Sequence, residues 1–176
     1  MKQSAPTRIH VSVALQRLSV KRGRKTVRSF PISTSKYGLG VEEGSFKTPT
    51  GRFRIAEKFG DGLPTEVAFK SRRPLVPTPE MLQSDDLVMS RIFWLDGLDA
   101  GNANSHDRFI YIHGTNHENE IGRPASHGCI RMKNADVAEL FHLVPVETEV
   151  VIAAPRARRR VAKKAEKSVA RKRRSA

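Results

Sequence analysis

Apolar and polar residues alternate in separate runs within the first sixty positions of this chain. Across residues 9–20, Ile9, Val11, Val13 and Leu15 fall two apart, the period of a strand with one buried face. Lys21-Arg22-Gly23-Arg24 reads as a charged turn, and residues 27–32 as the hairpin partner, interrupted by Pro31. Proline cannot donate to a ladder, so Pro31 suits an edge or a bulge. Residues 33–50, rich in Ser, Thr and Gly, read as a loop, and residues 51–58 as a third strand with Phe53 and Ile55 on one face.

The pattern then lapses. Residues 60–86 are irregular and punctuated by Pro64, Pro74, Pro77 and Pro79. A loop of that length inside a compact domain is usually functional or mobile, and it reads either as a lid or groove wall or as an inert insertion. Residues 91–95 and 109–113 are apolar, aromatic and β-branched, and are two strand candidates separated by a polar loop over 97–107. Asn134 is placed to cap a short helix whose Val137, Leu140, Phe141 and Val144 recur at helical spacing, with Pro145 as its stop. Residues 148–152 read as a closing strand. The sum is a mostly β fold, one sandwich- or barrel-like domain over 8–153 with one or two short helices, a flexible stretch over 1–7 and a tail over 154–176.

Charge changes this picture only at the end. The chain carries +14, but from Pro155 onward there are eleven Lys and Arg against Glu166 alone. The tail lacks the apolar content to pack and is expected to be disordered when free. Val161, Ala165 and Val169 fall four apart, so a partner could make it helical. Such a segment is also suited to polyanions, whether nucleic acid, anionic lipid or polymer, through phosphate neutralisation. No apolar run of signal-peptide or membrane-span length is present, so the sequence alone reads as cytoplasmic. A monomer is expected.

Chemistry concentrates between His113 and Arg131. Cys129 is the only cysteine, with His127 two positions before it and His113 sixteen before it. One cysteine excludes an internal disulfide, whereas a thiol beside an imidazole is the usual arrangement of a cysteine nucleophile. A histidine arriving from another strand can face the thiol squarely, which favours His113 over His127 as the base. The amides of Gly128 and Cys129 are natural oxyanion donors. A metal reading has His113, His117, His127 and Cys129 as its candidates. The spacing of four between His113 and His117 joins ligands only on a helix, and Gly114-Thr115-Asn116 argues for a loop, so no metal or other cofactor is expected.

His113-Gly114-Thr115 followed by Ser126-His127-Gly128-Cys129-Ile130-Arg131-Met132 resembles the signature of the YkuD-type L,D-transpeptidases, bacterial enzymes that remodel peptidoglycan through a cysteine acyl-enzyme. Lys47-Thr48-Pro49-Thr50-Gly51-Arg52-Phe53 and Asn134-Ala135-Asp136 are also similar to that family. The resemblance implies a β-sandwich or barrel-like fold, Cys129 as nucleophile and His113 as base, with the Gly114 carbonyl orienting the imidazole and His127 in a supporting role. Arg131, two residues past the thiol, is expected to share its face and bind a stem-peptide carboxylate, with Arg123 a second candidate. Ser126 is grouped with them beside the substrate, its hydroxyl reading as turn-stabilising rather than as a second nucleophile. The implied partners are peptidoglycan stem peptides or muropeptides, and the implied location is the cell envelope. The same cysteine chemistry serves an L,D-carboxypeptidase or a D-amino-acid exchange enzyme, and the tail alone would suit a polyanion-binding protein.

Overall fold

The computed structural model describes residues 5–84 and 86–155. Its ten strands belong to one sheet. The first three, β1 (Thr7–Ser12), β2 (Arg17–Arg22) and β3 (Lys25–Pro31), form an antiparallel meander. The single strand expected over 9–20 is therefore two. Gln16 breaks it by taking φ 45°, and its side-chain amide holds both Val13 O and Thr34 Oγ1 at 2.8 Å. Leu15, placed by alternation on the core face, sits in that turn and is 71% exposed. The turn expected over 21–24 narrows to Gly23 and Arg24, with Gly23 at φ 57°, a left-handed position glycine fills without strain. Pro31 ends β3, the outer strand of the meander, and the ladder slips by one residue where Val20 and Lys21 of β2 face Arg28 and Thr26, leaving Val27 of β3 unpaired as the bulge.

Beyond the loop, β4 (Gly51–Phe59) pairs with β7 (Val88–Gly97) and with β10 (Glu149–Ala153), which returns to lie parallel to β1. Residues 60–86 are more ordered than their prolines suggested. They contain a hairpin of β5 (Ala68–Lys70) and β6 (Arg73–Leu75), and a short helix, α1 (Pro79–Ser84). Short strands leave too few alternating positions to register as a pattern. The loop expected over 97–107 likewise holds a 3-10 turn at Ala100–Ser105.

From β7 the sheet continues through β8 (Tyr111–Gly114) to β9 (Ile130–Met132), which run parallel. Phe109, read as strand, lies outside β8 at φ 55° with half its surface exposed. Ser33, just past β3, exchanges two backbone hydrogen bonds of 2.9 Å with Arg131. That bridge joins the last strand to the continuation of the first edge and closes the sheet into a barrel-like wall, as alternation and the resemblance both implied.

The wall encloses Ile9, Val11, Leu18, Val20, Phe53, Ile55, Phe93, Leu95, Ile112, Ile130 and Ile152, each at most 1% exposed. Burial of this kind stabilises by roughly 1.5–3 kcal/mol per large side chain. Helix α2 (Asn134–Leu143) contributes Val137, Leu140 and Phe141 to the same cluster. Its cap differs from the expected one. Lys133 occupies the N-cap without a side-chain bond, Asn134 is the first helical residue, and its amide donates to Glu118 Oε1 at 2.7 Å. The partner needed at the helix start thus comes from sixteen residues upstream. The basic segment 156–176, with its expected disorder and helical spacing, lies outside the described residues, as do residues 1–4. Among the described residues no helix is long and apolar enough to cross a membrane.

Candidate active site

The register of β8 and β9 decides what faces what. Ile112 pairs with Ile130, His113 with Arg131 and Gly114 with Met132. Side chains alternate, so Ile112, Ile130 and Met132 enter the core while Tyr111, His113, Cys129 and Arg131 share the opposite face. Cys129 sits immediately before β9 and packs against an apolar cluster of Phe69, Ile92, Trp94 and Tyr111. His113 and Cys129 are therefore diagonal neighbours on one surface, delivered by two adjacent strands.

The turn that presents the thiol is held from several directions. Gly128 adopts φ 123°, a conformation that residues with a Cβ avoid. Ser126 Oγ donates to Cys129 O at 2.6 Å and accepts the Gly128 N–H at 3.3 Å. Buried Thr48 donates to Gly128 O at 2.9 Å while accepting the Ser35 N–H at 3.0 Å. Ser126 thus ties the two sides of the turn together, and Thr48 gives a physical role to the segment around Lys47.

Cys129 Sγ receives the Tyr111 N–H at 3.3 Å and directs its own proton to Phe109 O at 3.3 Å. The residue is half-buried, and burial among the apolar cluster pushes the thiol up to about 11, against the Tyr111 amide, which favours the thiolate. At neutral pH the sulfur accordingly keeps its proton.

His113 is 4% exposed and its Nδ1 lies 2.5 Å from Gly114 O. A carbonyl only accepts, so Nδ1 carries the hydrogen and Nε2 is left with its lone pair. Burial lowers the imidazole to about 4, opposed by the Gly114 hydrogen bond and by the Asp86 charge. Gly114 also has no room for a side chain. A Cβ there would lie 2.1 Å from Asn134 Oδ1 and 2.8 Å from Met89 O.

Beside this pair is a charged network. Arg131, with its side chain 2% exposed, bonds Asp86 through Nη2 and Glu120 Oε2 through Nη1 at 3.1 Å. It is a buried, doubly paired cation and not a free surface charge. Asp86 Oδ2 also contacts His127 Nδ1 at 2.9 Å. Burial works to raise the Asp86 carboxyl, but the Arg131 charge and the His127 hydrogen bond outweigh it and hold it below the usual range. His127 itself is partly exposed and packs near the rings of Tyr37 and Phe46, at centroid distances of 5.7 and 6.1 Å. A cavity of about 490 Å³ opens over this network, lined among others by Lys36, Asp86, Glu120, Arg123, His127 and Arg131. Arg123 is exposed and lies 3.6 Å from Glu120. Among the described residues no three His, Cys, Asp or Glu side chains are grouped so as to hold a metal ion.

Residues 6–152 match the family model of the L,D-transpeptidase catalytic domain, YkuD. The chain belongs to that family. The provisionally named L,D-transpeptidase YkuD of Bacillus subtilis (strain 168) is 29% identical over 147 residues, covering 84% of this chain and 66% of that protein. Its provisionally named companion YqjB, from the same strain, is 46% identical over 59 residues, 34% of this chain and 32% of its own. Among solved structures, an L,D-transpeptidase from Mycobacterium smegmatis superposes with a TM-score of 0.54 at 18% identity, covering 85% of this chain and 59% of that one. One from Xylanimonas cellulosilytica gives 0.54 at 19% identity, covering 87% and 63%. The L,D-transpeptidase fold thus extends to this chain, which spans less than two thirds of the length of these relatives.

For this L,D-transpeptidase-family chain, the structure gathers Cys129, His113, Gly114, Gly128, Ser126, His127 and Arg131 around one turn, and Arg123 on the cavity rim. The sequence reading missed Asp86, Glu120 and Thr48. Asp86 lies at the end of a proline-rich stretch and Glu120 in a polar loop, and neither position has a local pattern. Thr48 could have been found, since it sits in the segment that resembled the family.

Proposed function

We propose that this chain is a peptidoglycan L,D-transpeptidase using Cys129 as nucleophile and His113 as its proton acceptor. The observation that carries the reading is the shared face of β8 and β9, where an imidazole with a free Nε2 lone pair sits diagonal to a half-buried thiol. Because burial disfavours both charged forms, the resting pair is neutral thiol and neutral imidazole. The S–H leaves Phe109 O and passes its proton to His113 Nε2 as sulfur bonds the carbonyl carbon between the L-centre of a diamino acid and a terminal D-Ala. The oxyanion is received by the Cys129 amide, which makes no hydrogen bond among the described residues, whereas the Gly128 amide, expected as a second donor, is taken up by Ser126 Oγ and has to leave it to contribute. His113 returns the proton to the departing D-Ala amine, leaving a thioester. An amine of a second stem attacks it, His113 takes the amine proton, and the thiol is restored as the cross-link forms.

Arg123, exposed on the cavity rim, is suited to a stem carboxylate, whereas Arg131, expected to share that task, is already held by Asp86 and Glu120 and is suited to fixing the site's shape, with His127 in a supporting position at the rim. Phe69, Leu63 and Val67 from residues 60–86 pack into the cluster that contains Cys129, which suits that segment to walling the donor groove. Incubating the protein with purified tetrapeptide muropeptides and sorting products by mass tests the reaction. Cross-linked dimers with released D-Ala are expected. Trimmed tripeptides alone would make water the acceptor, exchanged stems would make it a free D-amino acid, and no product of any kind would refute the assignment.

A further inference from the structure

Acidic residues are absent from residues 1–41, a stretch that holds nine Lys and Arg. That stretch builds the β1–β2–β3 meander, whose alternation turns Ile9, Val11, Leu18 and Val20 inward and leaves Arg8, His10, Ser19 and Lys21 on the outer face. Arg8 lies opposite Lys21, and His10 is flanked in register by Ser19 of β2 and Val151 of β10. The Gly23-Arg24 turn closes one end, with Arg8 Nη2 3.5 Å from Gly23 O. The result is a cleft of about 420 Å³ lined by Arg8, His10, Lys21, Gly23, Arg24 and Val151.

Several exposed arginines of this molecule are neutralised, Arg28 by Glu139, Arg52 by Asp99, Arg54 by Asp96 and Glu147, Arg123 by Glu120, and the exposed arginines Arg17, Arg22 and Arg73 do not line this cleft. Among the described residues Arg8, Lys21 and Arg24 have no such partner, even though Glu149 stands in register with Arg8 on β10. Burial lowers the His10 imidazole and the charges of Lys21 and Arg8 lower it further, so the positive field is felt inside the cleft. A concave, one-sign surface focuses that field on an incoming anion. Guanidinium forks at Arg8 and Arg24 match phosphate oxygens. A water takes about 30 Å³ of liquid, so the cleft has room for a phosphate and the carbons on either side of it. No Phe, Tyr or Trp lines it to stack a base, the usual platform for single-stranded nucleic acid.

We propose that this cleft, on the β1–β2–β10 face, binds the phosphodiester backbone of a polyol-phosphate chain, a linear polyanion without bases. The interaction is separate from the reaction at Cys129. It holds the folded domain on an anionic polymer through the domain's own strands.

The test uses the full-length protein, with poly(glycerol phosphate) and an oligothymidine of matched phosphate number as probes. The triple substitution R8Q/K21Q/R24Q is expected to weaken polymer binding on the order of tenfold at low salt. It should also lower the slope of log affinity against log salt by about 2, since three phosphate contacts at ~0.7 each are lost. K70Q/R73Q/K133Q, which removes the same net charge from exposed positions elsewhere, should weaken it less than about threefold. In the unsubstituted protein the His10 ring resonances should move as polymer is added, a readout that needs no variant and ignores binding confined to residues 156–176. Equal losses in the two triple variants, or His10 resonances that stay fixed at saturation, would overturn the site. Tighter binding of oligothymidine than of the polymer would overturn the choice of ligand.

Discussion

Two faces of the same pair of strands behave in opposite ways. The inner face of β8 and β9 presents Ile112, Ile130 and Met132, all fully buried in the barrel core. The outer face presents Tyr111, His113, Cys129 and Arg131, also largely covered but polar, and each of these needs a specific partner. Gly114 O serves His113, the Tyr111 amide and Phe109 O serve Cys129, and Asp86 with Glu120 serve Arg131. An apolar face tolerates any neighbour of the right volume. A buried polar face does not, because each unmet donor or acceptor costs about 1–3 kcal/mol. The inner face is therefore built for stability, and the outer one holds the groups proposed to react.

Substitutions on the two faces should separate these roles. The largest effect is expected from Cys129→Ala, which should abolish turnover and acyl-enzyme formation while thermal unfolding stays near that of the unsubstituted protein. A variant that retained turnover would remove the cysteine from the mechanism. His113→Ala comes next, with a loss of about 10²–10⁴-fold in kcat/KM as expected for a removed general base, and His127→Ala should lose less. Gly114→Ala should approach the His113 loss, because its new methyl group would press on Asn134 Oδ1 and Met89 O and displace the carbonyl that orients the ring.

On the apolar side, Leu140→Ala should lower stability by roughly 2–5 kcal/mol in denaturant titration. The fraction that remains folded should keep its rate per molecule. A fall in kcat as large as that of His113→Ala would show that the two faces are not separable. The smallest effect is on acid stability. The His113 imidazole titrates lower in the folded chain than the ordinary 6.5, so the unfolded chain binds more protons between about 6.5 and 4. Stability should fall as pH drops through that window, and His113→Gln should flatten the slope there.

The same division governs what could be read in the sequence. β4 was legible because Phe53 and Ile55 alternate with Arg52 and Arg54, and the centre of β7 because residues 91–95 are apolar, aromatic and β-branched. Helix α2 was legible from Val137, Leu140 and Phe141. The break at Gln16 was not, because it rests on a side-chain bond to Thr34, eighteen residues away. The hairpin of β5 and β6 was hidden by its length. Cys129 and His113 stood out through residue chemistry and spacing, and the resemblance ordered their roles. Asp86, Glu118 and Glu120 reach their partners from 11 to 45 positions away, and no local pattern marks them.

Covalent trapping at the thiol tests the central claim most directly. A nucleophile that forms thioesters should also open the strained ring of a carbapenem, and imipenem serves as the probe. Intact-protein mass should rise by one imipenem adduct, confined to the Cys129 peptide. The rate of its appearance should fall about 10²-fold or more in His113→Ala and by less in His127→Ala. An adduct on any other residue, or a slower reaction in His127→Ala than in His113→Ala, would contradict the account.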